Sequence, residues 1–80
     1  MKKYQLTLNS INSVKHFVDV STAQSFEIDV ISGRYVVDGK SILALFSFDL
    51  NHPVEVICHA EDEEADRFFE AMKEALEIDE

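Results

Sequence analysis

Basic residues are scarce in this sequence: seven lysines and arginines stand against sixteen aspartates and glutamates, for a formal net charge of −9. A field of that sign repels phosphate backbones and anionic lipid, which argues against nucleic acid or a membrane surface as a partner. Long apolar runs are missing too. None approaches the roughly 20 residues of a membrane span, and Met1-Lys2-Lys3 leads into Tyr4-Gln5-Leu6 rather than a signal-peptide core. The expected compartment is the cytoplasm. The solitary Cys58, with no second cysteine to oxidise onto, is compatible with a reducing environment.

Metal-ligand spacings are equally absent. Cys58-His59, His52 and His16 match no zinc pattern, and strand alternation sends Cys58 and His59 to opposite faces. Ser10 or Ser13 with His16 lacks an acid to orient the base, so nucleophilic catalysis is not expected. Paired carboxylates such as Glu63 and Glu64 fall on a solvated helix. No enzyme, no metal and no cofactor follows from these residues. With two glycines and one proline the breaks are few, and no repeat, linker or low-complexity tract interrupts the chain. Eighty residues with 46% apolar content suffice for one domain over 1–80.

What is present is unevenly placed. Residues 61–80 hold ten of the sixteen acids and two bases, a local net charge of −8, which leaves −1 for residues 1–60. The plain reading of that segment is a solvated acidic helix that aids solubility.

Tyr4, Leu6 and Leu8 alternate with polar residues and predict a strand near 2–8. The run Asn9-Ser10-Ile11-Asn12-Ser13 offers helix caps, and Val14, Phe17, Val18 and Ser21 follow at helical spacing, predicting a helix near 12–22. Phe26-Glu27-Ile28-Asp29-Val30 alternates as a strand near 25–32. Ser32-Gly33 turns into a strand near 34–38, and Asp38-Gly39 turns out of it. Ser41 is placed to cap a helix near 41–49 that Asn51-His52-Pro53 breaks. Val54, Val56 and Cys58 alternate in a strand near 53–59. Ala65, Phe68, Phe69, Met72 and Leu76 form the core stripe of a last helix near 62–76. Acids in its first turn suit the helix dipole; those at its far end oppose it and predict fraying after about Leu76. Four strands and three helices make an α+β layer structure with Glu27, Asp29 and Glu55 on a solvent-facing sheet surface.

This pattern resembles the HPr phosphocarrier domain of the sugar phosphotransferase system. The resemblance rests on Gly39-Lys40-Ser41-Ile42-Leu43, similar to the Lys-Ser segment opening the family's second helix, on His16-Phe17-Val18, on Phe26-Glu27-Ile28-Asp29-Val30, and on Ala60-Glu61. It extends without a gap over residues 9–76. It implies an open-faced β-sandwich, β-α-β-β-α-β-α, with an antiparallel sheet ordered 1-4-2-3 and three helices on one face.

The same resemblance exposes a departure. The family's acceptor segment, Gly-(Leu/Ile)-His-Thr-Arg-Pro, falls on Ser10 for the histidine, Asn12 for the arginine and Ser13 for the proline. A serine phosphate is a stable ester, whereas phosphohistidine is labile enough to pass its phosphoryl group on. His16, a turn and a half into the helix, reads as an exposed helix histidine. The family's regulatory serine, phosphorylated by a dedicated kinase, matches Ser41; its plainer role is the helix cap. Ile42, Leu43 and Phe46, which match an exposed docking surface of the family, are expected to form an apolar patch beside Ser41.

Three functions stay open at this point. One is a non-catalytic regulatory or docking protein related to the phosphotransferase system, meeting phosphotransferase-system or HPr-kinase-like proteins through the second helix. Another is a phosphocarrier with a non-standard acceptor. The third is a structural or oligomerising module, a homodimer covering the patch.

Overall fold

The computed structural model describes residues 3–48 and 52–78, side chains of 75, 77 and 78 excepted. Its elements run β1 (Lys3–Leu6), α1 (Ile11–Thr22), β2 (Ile28–Ser32), β3 (Tyr35–Asp38), α2 (Ile42–Phe46), β4 (Val54–Cys58) and α3 (Asp62–Ile78). All four strands join one antiparallel sheet in the order β1-β4-β2-β3. This is the topology the resemblance implied, with three helices layered on one face.

Local chemistry explains the boundaries. Gly33 adopts φ +60°, while no other residue type takes a positive φ among the described residues. It is thus the first central residue of a two-residue hairpin turn of the II′ kind, where glycine is demanded. β1 stops at Leu6 because its partner residue, Val54, follows Pro53, which carries no amide hydrogen. Leu8 is buried nonetheless, beyond the strand proper. β2 begins at Ile28 rather than near 25, although His59 N donates to Glu27 O at 2.9 Å and prolongs the ladder by one bond.

α2 is shorter than the periodicity predicts. Ser47 N and Ser47 Oγ both donate to Ala44 O, and Phe48 N donates to Leu45 O, a three-residue closure that ends the helix at Phe46. Asp49, in the predicted helix, and Asn51, in the predicted break, lie outside the described residues. α3 runs to Ile78, two residues past the expected fraying point at Leu76.

The core lies between sheet and helices. Ile28, Val30, Val54, Val56 and Cys58 project from the sheet to meet Val14, Phe17, Leu45, Ala65, Phe68 and Met72. Phe68 is the hub, edge-on to Phe17 at 6.4 Å and to Phe26 at 5.9 Å between ring centres. α3 is fastened to β1 by Tyr4, which stacks on Phe69 at 4.2 Å and donates to Asp66 Oδ1 at 2.6 Å. On the open face Glu27 is exposed, but Asp29 and Glu55 are half-buried by the strands on either side of them.

Candidate functional site

Two helix starts carry the residues that the resemblance singles out. At the first, Ser10 has extended backbone (φ −145°, ψ 161°) and its Oγ accepts from Ser13 N at 3.0 Å. Its carbonyl accepts from Val14 N at 3.2 Å, and the hydroxyls of Ser10 and Ser13 share a hydrogen bond at 2.9 Å. This is a complete helix cap. Ser10 and Asn12 are exposed and Ser13 is buried. The structure therefore brings the three positions together at one helix start, but as a cap in which the amide of Ser13 is already occupied.

His16 lies in the next turn and is half-buried, which corrects the expectation of an exposed histidine. α1 packs against both α2 and α3, so its covered surface is wider than the Val14–Phe17–Ser21 stripe alone.

At the second helix start, Ser41 Oγ accepts from Ala44 N at 3.3 Å, and Leu45 N donates to Ser41 O at 3.1 Å. Ser41 is half-buried. Lys40 does not lie idle beside it: its Nζ donates to Gln24 O at 2.9 Å, tying the turn to the end of α1, and its amide donates to Asp38 Oδ1 at 2.9 Å.

The expected apolar patch is smaller than the sequence suggests. Leu43 is 80% exposed and Phe46 39%. Ile42 is half-buried and packs on the core, because it lies three residues before the fully buried Leu45 and shares its face. Phe48, partly buried, also packs against the core. Ile11, in the first turn of α1, is 65% exposed and was not singled out by sequence. Its only signal was an apolar residue inside a run of capping residues.

Cys58 and His59 part to opposite sides. Cys58 is fully buried, and burial pushes its thiol up to about 11. His59 Nε2 lies 2.7 Å from Asp29 Oδ2 on the open face. Among the described residues no three histidine, cysteine or carboxylate side chains gather where a metal ion could sit. No helix among them is long and apolar enough to cross a membrane.

A four-stranded antiparallel sheet ordered 1-4-2-3 under three helices, with a capped first helix and a serine-capped second, defines an HPr-like open-faced sandwich. The model of the family described as the PTS HPr component phosphorylation site matches residues 14–77. The chain belongs to the HPr family of the phosphotransferase system, whose members are phosphocarriers rather than enzymes in themselves.

Three solved structures share the fold. HPr-C-His from Thermoanaerobacter tengcongensis is 21% identical, with TM-score 0.73 over 96% of this chain and 92% of its own. The histidine-containing phosphocarrier protein of Mycoplasma is 15% identical, with TM-score 0.72 over 94% and 91%. The phosphocarrier protein HPr of Bacillus anthracis is 17% identical, with TM-score 0.68 over 92% and 94%. No curated protein matches the chain.

Proposed function

We propose that this chain is an HPr-family protein that has given up phosphoryl carriage and works as a non-catalytic docking protein of the phosphotransferase system. Leu43 and Phe46 are its contact residues, Ile42 sets their position, and Ser41 is a regulatory phosphorylation site. The observation that carries this reading is Ser10. Where the family places its acceptor histidine, this chain has a hydroxyl engaged as a helix cap. The arginine and proline positions hold Asn12 and Ser13, and the match to the family model begins at residue 14, just past them.

With carriage set aside, α2 keeps the features a partner would use. Leu43 projects an apolar side chain into solvent at the helix that Ser41 opens. A phosphate on Ser41 adds close to −2 charge beside that side chain, enough to change which partner surface fits. The partner is a protein with an apolar contact face from the same transport system, as the family's dealings with phosphotransferase-system proteins suggest.

The test has two readouts. Incubation with ATP and HPr kinase is expected to add one phosphate, absent in Ser41→Ala. Leu43→Asp is expected to weaken binding to phosphotransferase-system proteins by about tenfold or more. A chain that takes no phosphate at Ser41, and whose binding ignores Leu43→Asp and Phe46→Ala alike, contradicts the proposal.

A further inference from the structure

The order β1-β4-β2-β3 leaves two sheet edges open, at β1 and at β3. Each presents backbone groups that another strand would satisfy. The edges differ in charge. β1 lies under α3, held by Tyr4 to Asp66 and Phe69, so pairing there would bring two copies of the −8 segment together. β3 is at the far side of the sheet, and residues 28–48 carry two acids and two bases.

The ladder fixes what β3 offers. Gly39 N donates to Ile28 O at 2.7 Å, in register with the β2–β3 pairs. Bonded pairs alternate along an antiparallel ladder, so Val30↔Val37 and Ser32↔Tyr35 are the other bonded pairs. The N–H and C=O of Val36 therefore point off the edge, as do the C=O of Arg34 and the N–H of Asp38.

Read outward, Arg34-Tyr35-Val36-Val37-Asp38 is its own complement about Val36. An antiparallel two-fold pairing sets Val36 against the partner's Val36, Arg34 against the partner's Asp38, and Tyr35 against the partner's Val37. The two valines exchange both backbone bonds, and each Asp38 amide meets the carbonyl of the partner's Arg34. Opposite charges face each other at both ends, the favourable cross-strand arrangement. Among the described residues Arg34 has no ion-pair partner within its own chain.

Shape agrees with charge. Val37 pairs with the buried Val30, so Tyr35 and Val37 project to the helix side of the sheet. There a cavity of about 410 Å³ opens between β3 and the end of α2, lined by Tyr35, Val36, Val37, Ser47 and Phe48. The partner's Tyr35, arriving opposite Val37, is delivered to its mouth. Tyr35 and Val36 are 66% and 59% exposed in the single chain.

We propose that two copies of this chain pair antiparallel through their β3 edges about Val36, forming one continuous sheet with each Tyr35 seated beside Phe48 of the other copy. Strands this short bury less than an obligate dimer needs, so the assembly is reversible and concentration-dependent.

Sedimentation equilibrium across micromolar to millimolar concentrations is expected to show a monomer–dimer equilibrium. Arg34→Glu and Asp38→Lys each set like charges opposite each other twice, and each is expected to weaken its own dimer roughly tenfold. Mixed in equal amounts they form two complementary pairs and recover the wild-type affinity. In a separate arm, Val36→Cys copies cross-link on mild oxidation, because a bonded pair holds its Cα atoms about 5.5 Å apart, within disulfide reach. Gln5→Cys, exposed on β1 at the opposite edge of the sheet, does not. A chain that stays monomeric into the millimolar range overturns the proposal. So does a mixture that fails to recover affinity, or equal cross-linking at both cysteines.

Discussion

Gly39 sits so close to Ile28 that a methyl group has no room. A Cβ there would stand 2.7 Å from Ile28 Cγ2 and 3.2 Å from its carbonyl oxygen, and Ile28 is itself 1% exposed and unable to swing away. Gly39→Ala is expected to lower stability by about 1–3 kcal/mol through overpacking, read as a shifted urea midpoint. An unchanged midpoint would show that the β2–β3 pair yields more easily than its packing indicates. Two other single residues govern the alkaline limit. Burial raises the Cys58 thiol from its ordinary 9.0 to about 11. The Tyr4 phenol is also held well above its usual range, first by burial, then by its bond to Asp66 and the charges of Asp66, Cys58 and Asp62. Both groups hold their protons more tightly folded than unfolded. Their contribution is therefore intact below about pH 9 and is lost as pH rises toward 11 and beyond. Unfolding titrations from neutral pH upward are expected to show a flat stretch and then a decline. The decline becomes shallower in Cys58→Ala, and a flat profile to pH 11 would contradict the assignment.

Helices α1 and α2 each start on a serine whose hydroxyl accepts from the amide three residues on, at 3.0 Å and 3.3 Å. Ser10→Ala and Ser41→Ala are each expected to cost about 1 kcal/mol, and amide exchange is expected to quicken first in the helix that loses its cap. Equal loss of protection across both helices would deny the caps a local role. Both caps were legible in the sequence because capping residues announce themselves by type. The strand cores were legible as well, since Ile28 and Val30, and Val54, Val56 and Cys58, recur at every second position and are all buried. The length of α2 was not. An unbroken apolar run from Ile42 to Phe46 continues past Ser47 into Phe48 in sequence, and only the bonds to Ala44 O and Leu45 O mark where the helix stops. The half-burial of Ile42 was hidden for a related reason: in a helix with apolar residues all round, periodicity does not choose a face, and the position of Leu45 against the core does. At the candidate site, sequence singled out Ser10, Asn12 and Ser13, which the structure gathers at the start of α1. It did not identify the exposed Ile11, nor the tie from Lys40 to Gln24 O, which joins residues sixteen apart.

The molecule as a whole has the family's sheet and helix layer, and both its first and second helices start on a serine cap. Charge is segregated: the acidic α3 lies against β1, and the neutral β3 edge and α2 lie apart from it. The two surfaces proposed for contact with proteins thus lie away from the segment that repels. Introducing the family's acceptor residues with Ser10→His, Asn12→Arg and Ser13→Pro together is expected to return at most weak phosphate acceptance, because the three substitutions supply the acceptor alone and no further complementarity to the donor. The most direct test of lost carriage is incubation of the unmodified protein with phosphoenolpyruvate and enzyme I, read by intact mass and by acid lability. The expected result is no added phosphate. An acid-labile phosphate that appears in the wild type and disappears in His16→Ala would contradict it and make this chain a working phosphocarrier.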